Sequence, residues 1–133
     1  MGFVLDASVS ACWALSDEDH PVADKALDRT CSDGIIVPSL WWFEIRNLLV
    51  VAERRNRSTV ARTSAFLAQI KRLELSIDRS PDEETIFRLA RNHALTVYDA
   101  SYLELAIRTG APLATLDKRL AVAARSEGIG LIG

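Results

Sequence analysis

The sequence predicts an α/β fold whose mostly parallel sheet is covered by helices on both faces. Short apolar runs, Phe3-Val4-Leu5 and Ile35-Ile36-Val37 among them, alternate with segments of helical apolar spacing. Strands separated by helices build βαβ units, and these give parallel sheets with right-handed connections. The chain has 133 residues and is 49% hydrophobic, enough for one core and one domain spanning 1–133.

Each element follows in order. Phe3-Val4-Leu5 is the first strand, and a helix runs from about Ser8 to Leu15. Ser16-Asp17-Glu18-Asp19 is an acidic, solvated loop. Pro21 suits the first turn of a helix reaching towards Arg29. Gly34 and Pro38 bracket the second strand, Ile35-Ile36-Val37. A long helix covers Leu40 to Arg55, and Ser58 is the expected cap of the next, with Val60, Phe66, Leu67, Ile70 and Leu73 near helical spacing. Leu75-Ser76-Ile77-Asp78 alternates like a strand. Ser80-Pro81-Asp82-Glu83 then predicts a helix start with a serine cap and proline at the first helical position. Asp99 opens a helix ending near Gly110. Leu113 to Leu116 is a strand, Lys118 to Glu127 a helix, and Ile129 to Ile132 a last strand.

Composition narrows the function classes. No apolar run reaches the roughly 18 residues of a membrane helix, and no signal peptide is evident, so a soluble cytoplasmic protein is expected. The net charge of −2 does not advertise a nucleic-acid binder, although clustered acids offset basic residues elsewhere. Cys12 and Cys31 read as buried or partly buried free thiols. With His20 and His93 they match no zinc-site spacing.

The acids carry the chemistry. Asp6 and Asp117 end strand-like runs, where open α/β sheets build their sites. Asp99 opens a helix, and Glu44 interrupts the apolar stripe of Trp41, Ile45 and Leu48. Helix capping explains Asp6, Asp99 or Asp117 taken singly. Jointly, clustered carboxylates repel one another unless a cation neutralises them. Oxygen-only ligands favour magnesium or manganese over zinc. Ser8 and Thr115 place hydroxyls two residues from Asp6 and Asp117, suited to orienting ligands or water, although capping and strand propensity explain them equally. Asp78 also ends a strand, but it reads as a loop aspartate beside Arg79.

These motifs together resemble the PIN domain, in particular VapC-type toxins of toxin–antitoxin pairs. The resemblance rests on Val4-Leu5-Asp6-Ala7-Ser8, Glu44-Ile45-Arg46-Asn47-Leu48-Leu49, Leu95-Thr96-Val97-Tyr98-Asp99-Ala100-Ser101-Tyr102-Leu103 and Ala114-Thr115-Leu116-Asp117-Lys118-Arg119-Leu120. It implies a three-layer α/β/α sandwich and an endoribonuclease dependent on Mg2+ or Mn2+. Asp6, Glu44, Asp99 and Asp117 would hold the ions. Hydrolysis would leave 5′-phosphate and 3′-hydroxyl ends. It further implies a cognate VapB-type antitoxin and a homodimer. The helix stretch Ser10-Ala11-Cys12-Trp13 departs from the family by being less uniformly aliphatic.

Asn47 matches the family pattern as a positioner of substrate or water. Arg46 neighbours Glu44, and Arg54 and Arg55, with Arg57 and Arg62, form a basic stretch suited to RNA phosphates or simply to a solvated helix end. Leu40-Trp41-Trp42-Phe43 and Leu48-Leu49-Val50-Val51 make their helix apolar on more than one side, for intramolecular core or for a dimer or antitoxin groove. A haloacid-dehalogenase-like phosphatase would need a second aspartate where Ser8 stands, and a response-regulator receiver would need an acidic neighbour for Asp6. A catalytically silent PIN-like module binding protein or RNA is the remaining alternative.

Overall fold

The computed structural model describes residues 2–15 and 17–133; Met1 and Ser16 lie outside them. Among the described residues the chain forms β1 (Phe3–Leu5), α1 (Ala7–Ala14), α2 (Pro21–Arg29), β2 (Ile35–Pro38), α3 (Ser39–Arg54), α4 (Val60–Ile70), β3 (Leu75–Asp78), α5 (Glu83–His93), α6 (Val97–Thr109), β4 (Leu113–Ala114) and α7 (Lys118–Ser126).

The sheet is parallel throughout, in the order β3-β2-β1-β4. The chain steps from β1 to β2 to β3 in one direction, then returns to lay β4 against the other side of β1. Right-handed crossovers place helices on one face while the chain advances and on the opposite face once it reverses. The packing agrees. Helix α1 packs on α2, α3 and α4, whereas α6 packs on α5, α7 and strands β1, β2 and β4. The result is a three-layer α/β/α sandwich. The reversal makes the carboxyl ends of β1 and β4 the topological switch point, where sheets of this kind open a crevice.

Strands buried on both faces are continuously apolar, as Phe3, Val4 and Leu5 are, all fully buried. Trp41, Ile45 and Leu49 bury one stripe of α3. Trp41 satisfies its indole N–H on the Ser10 hydroxyl at 2.8 Å, also buried. Among the described residues every buried side-chain nitrogen or oxygen has a hydrogen-bond partner.

Several boundaries differ from expectation. Thr59, not Ser58, caps α4, accepting from the Arg62 amide. Asp82, not Ser80, caps α5, so Pro81 stays outside the helix. Helix α6 begins at Val97 under the Thr96 cap, which makes Asp99 its third residue rather than its opener. The expected last strand contributes only a bridge from Leu131 to Leu113. Asp78 pairs with Arg108 at 2.6 Å instead of with Arg79. Cys12 is half-buried, but Cys31 is exposed, contrary to the expectation for thiols. Asp17 and Glu18 are not simply solvated: Arg57 binds them at 2.9 and 2.7 Å.

Candidate active site

Asp6 immediately follows β1 at the switch point and is only 6% exposed. It occupies the position before α1 without capping it. Its carboxylate instead accepts from Ser8 Oγ at 2.8 Å and Thr115 Oγ1 at 2.7 Å, both on Oδ2. The Thr115 bond spans the junction between β1 and β4. The same two hydroxyls accept the amides of Leu116 and Asp117, which locks the turn after β4 onto β1. Ser8 and Thr115 are therefore tied to Asp6 itself.

Glu44 stands in the second turn of α3, half-buried. Its Oε1 accepts the phenol of Tyr102 at 2.6 Å. Tyr102 is fully buried on α6, so this bond joins helices from opposite layers. Asp117 caps α7, its Oδ1 accepting from the Leu120 amide at 3.0 Å. Asp6, Glu44 and Asp117 thus share one design: a named donor holds one carboxylate oxygen, which fixes where the other points. Asp99 is held through its own amide, which donates to Thr96 Oγ1 at 3.0 Å.

Electrostatics joins the four acids. Burial pushes the Asp6 carboxyl above its ordinary range, against the opposing hydrogen bonds of Thr115, Ser8 and the Ala7 backbone; the Asp117 charge raises it further. Glu44 is raised by desolvation, opposed by Tyr102, and then by the charges of Asp6 and Asp99. Asp99 is raised by desolvation and by Asp117 and Asp6, while Thr96 and Arg119 act the other way. The Tyr102 phenol is raised by burial and by its bond to Glu44.

Elsewhere, acids such as Asp17, Glu18, Asp33, Asp78, Glu104 and Glu127 have Arg or His partners. Among the described residues no ion pair reaches Asp6, Glu44, Asp99 or Asp117. A set of oxygen donors that repel one another and make no ion-pair contact with a base fits a hard divalent cation. The cage expected from the sequence is nevertheless open. Among the described residues no three His, Cys, Asp or Glu side chains are already gathered closely enough to hold a metal ion.

The remaining expected residues divide. Asn47 is exposed on α3. Arg46 folds back over the Trp42 ring, its Cζ 3.7 Å from the centroid, and donates to the Trp42 carbonyl. Arg54 and Arg55 are exposed but lie ten or more residues beyond Glu44, about 15 Å along the helix at 1.5 Å per residue. They are not gathered with the acids. Sequence reasoning does not single out Tyr102 as a site residue. A signal is available: it lies three positions after Asp99, on the same helical face.

Comparison with known proteins gives the same picture. The PIN domain model matches residues 3–126. Ribonuclease VapC3 of Pyrobaculum aerophilum is 30% identical over 124 residues, covering 91% of this chain and 93% of that protein. The crystal structure of PAE2754 from Pyrobaculum aerophilum superposes with a TM-score of 0.70 at 25% identity, over 92% of this chain and 84% of that one. Mycobacterium tuberculosis VapC20, a toxin that cleaves the sarcin–ricin loop, shares the fold with a TM-score of 0.61 at 12% identity, over 91% and 94%. A family match across most of the chain and a relative aligned over nine-tenths of both lengths agree with the acids at the switch point: the chain belongs to the PIN domain family, in its VapC-type branch.

Proposed function

We propose that this chain is a divalent-metal-dependent endoribonuclease that hydrolyses RNA phosphodiesters and acts as the toxin of a type II toxin–antitoxin pair. The observation that carries the proposal is the buried Asp6 carboxylate at the β1–β4 switch point, held by two hydroxyls and coupled to Asp117, with no basic partner among the described residues. The relative named Ribonuclease VapC3 supports the RNA substrate.

Asp6, Glu44, Asp99 and Asp117 are the proposed holders of Mg2+ or Mn2+. The bound metal would supply positive charge for the scissile phosphate and lower the pKa of an attacking water. The protein's own contribution is orientation. Ser8 and Thr115 aim Asp6, Tyr102 aims Glu44, and the α7 cap aims Asp117, so little side-chain freedom remains to be lost when ligands arrive. Attack by water with the 3′-oxygen as leaving group leaves 5′-phosphate and 3′-hydroxyl ends, with no 2′,3′-cyclic phosphate.

The proposed partners are a VapB-type antitoxin and a second copy of the chain. Trp42, Phe43 and Val50 support a protein contact on α3, being 42%, 70% and 41% exposed. A cytoplasmic location belongs to the same reading. Among the described residues no helix is long and apolar enough to cross a membrane.

The test is cleavage of a structured RNA pool with and without magnesium, alongside Asp6→Asn, with product ends mapped. The expected result is magnesium-dependent cleavage, lost in Asp6→Asn, giving 5′-phosphates. Equal cleavage by the variant, or 2′,3′-cyclic phosphate products, overturns the proposal.

A further inference from the structure

The chain is net negative, yet a ribonuclease must hold a polyanion beside four acids, so its unpaired cations matter. Most arginines near the core are already engaged. Arg29, Arg57, Arg88 and Arg108 bind carboxylates. Arg46 and Arg91 lie over the rings of Trp42 and Phe87.

Lys118 and Arg119 differ. Both are exposed, and among the described residues neither has an ion-pair partner. They directly follow Asp117. Arg119 reaches back to the Ala94 carbonyl at 3.5 Å, where α5 ends. Lys118 lines one cleft together with Asp117, which sets the pair beside the acids, and the Arg119 charge favours ionised Asp99.

The space around them has the right form. An open cleft of about 340 Å3 is lined by His93, Lys118, Arg119, Val122 and Ala123, with no acid in its wall. His93 is a wall and not a free cation, because its Nε2 faces Glu127 at 2.8 Å. A second cleft, of about 400 Å3, includes His20, Thr115, Asp117, Lys118 and Arg125 in its lining. The two meet at Lys118 and Val122. A strand crossing from one cleft to the other passes Lys118 and then Thr115 and Asp117.

The geometry points to the Lys118–Arg119 cleft as the site that grips a backbone phosphate of the RNA strand adjacent to the one being cut. This inference rests on the ribonuclease reading above. It moves the main phosphate contact from Arg54 and Arg55, about 15 Å along α3 from Glu44, to the first turn of α7. Lysine offers a point charge and arginine a planar fork of donors, which suits phosphate oxygens without reading sequence.

The experiment compares the full chain with Lys118→Gln/Arg119→Gln and Arg54→Gln/Arg55→Gln. Binding of a labelled single-stranded RNA oligomer is followed by fluorescence anisotropy in chelator, from about 50 to about 200 mM salt. Magnesium-dependent cleavage is measured in parallel. For two lost phosphate contacts the slope of log affinity against log salt should fall by about 1.4, with affinity down about tenfold at low salt. KM should rise while kcat changes little. The Arg54/Arg55 pair should keep the parent slope. An unchanged slope in the Lys118/Arg119 pair, or the whole loss appearing in the Arg54/Arg55 pair, overturns the inference while leaving cleavage intact. A parent chain that neither binds nor cuts RNA removes the ribonuclease reading and this inference together.

Discussion

Tyr102→Phe isolates the role of one oxygen atom. The phenol is fully buried, and its hydroxyl donates to Glu44 at 2.6 Å. Phenylalanine keeps the ring and its packing, so the cavity is no larger than an oxygen. A hydrogen bond to a charged group contributes about 1.5–3 kcal/mol. Glu44 is only half-buried and regains some water, which reduces the expected cost to about 1–2 kcal/mol. For a chain of this length each kcal/mol moves the melting point by about 3–5 °C, so Tm should drop by about 3–10 °C in chelator. In a Glu44→Ala background the same change should cost less, with a coupling of at least about 0.5 kcal/mol in a double-mutant cycle. The freed Glu44 should also weaken Mn2+ binding by about 10–100-fold in titration calorimetry, the usual consequence of losing a group that orients a ligand. A Tm within about 1 °C of the parent, with an unchanged Mn2+ isotherm, would refute the claim that Tyr102 orients Glu44.

Four further outcomes are expected. Burial raises the folded-state pKa of Asp6 above its ordinary 3.8, so its contribution to stability is present below that value and is lost as pH rises through the folded value. Asp6→Asn should therefore melt higher than the parent in chelator at neutral pH, with the gap closing on acidification; a gap that widens as pH falls contradicts the sign. Magnesium should raise the Tm of the parent more than that of Asp6→Asn, read by thermal shift. Arg108 bonds both Glu104, 2% exposed, and Asp78. Arg108→Ala leaves Glu104 buried and unpaired and should cost about 2–4 kcal/mol by urea denaturation, less than for a fully buried pair because Arg108 itself is one-third exposed. Ala94 ends α5 at a φ of +52°, where a side chain is strained. Ala94→Gly should gain about 0.5–1 kcal/mol in the same assay, and a loss would mean that relief of the left-handed strain is outweighed by the freedom glycine adds to the unfolded chain.

The parts of the molecule that were legible in the sequence are those dictated by local pattern. Phe3-Val4-Leu5 followed by Asp6 announces a buried strand with an acid at its end. Right-handed crossovers require no knowledge of contacts. Strand order was not legible, because nothing local says that β4 returns to the far side of β1. That return is what brings Thr115 to Asp6. Caps slipped by one or two residues where neighbours offered equivalent oxygens: Ser58 beside Thr59, Ser80 ahead of Asp82. Long-range partners stayed hidden for the same reason. Arg57 reaches Asp17, Arg108 reaches Asp78, and Tyr102 reaches Glu44, across 40, 30 and 58 residues. Sequence spacing ranks none of these pairs above their competitors. The basic stretch Arg54 to Arg62 looked like one surface; in the fold Arg57 turns to the acidic loop instead.

The bond between Thr115 and Asp6 joins positions 109 apart. During synthesis the first of these emerges early and waits for nearly all the rest of the domain. An unfinished polypeptide therefore carries the opening aspartate with Ser8 but without the Thr115 hydroxyl or the closing acid at 117. If the domain cuts RNA, incomplete copies are inert, and cutting begins only after the final strand has docked.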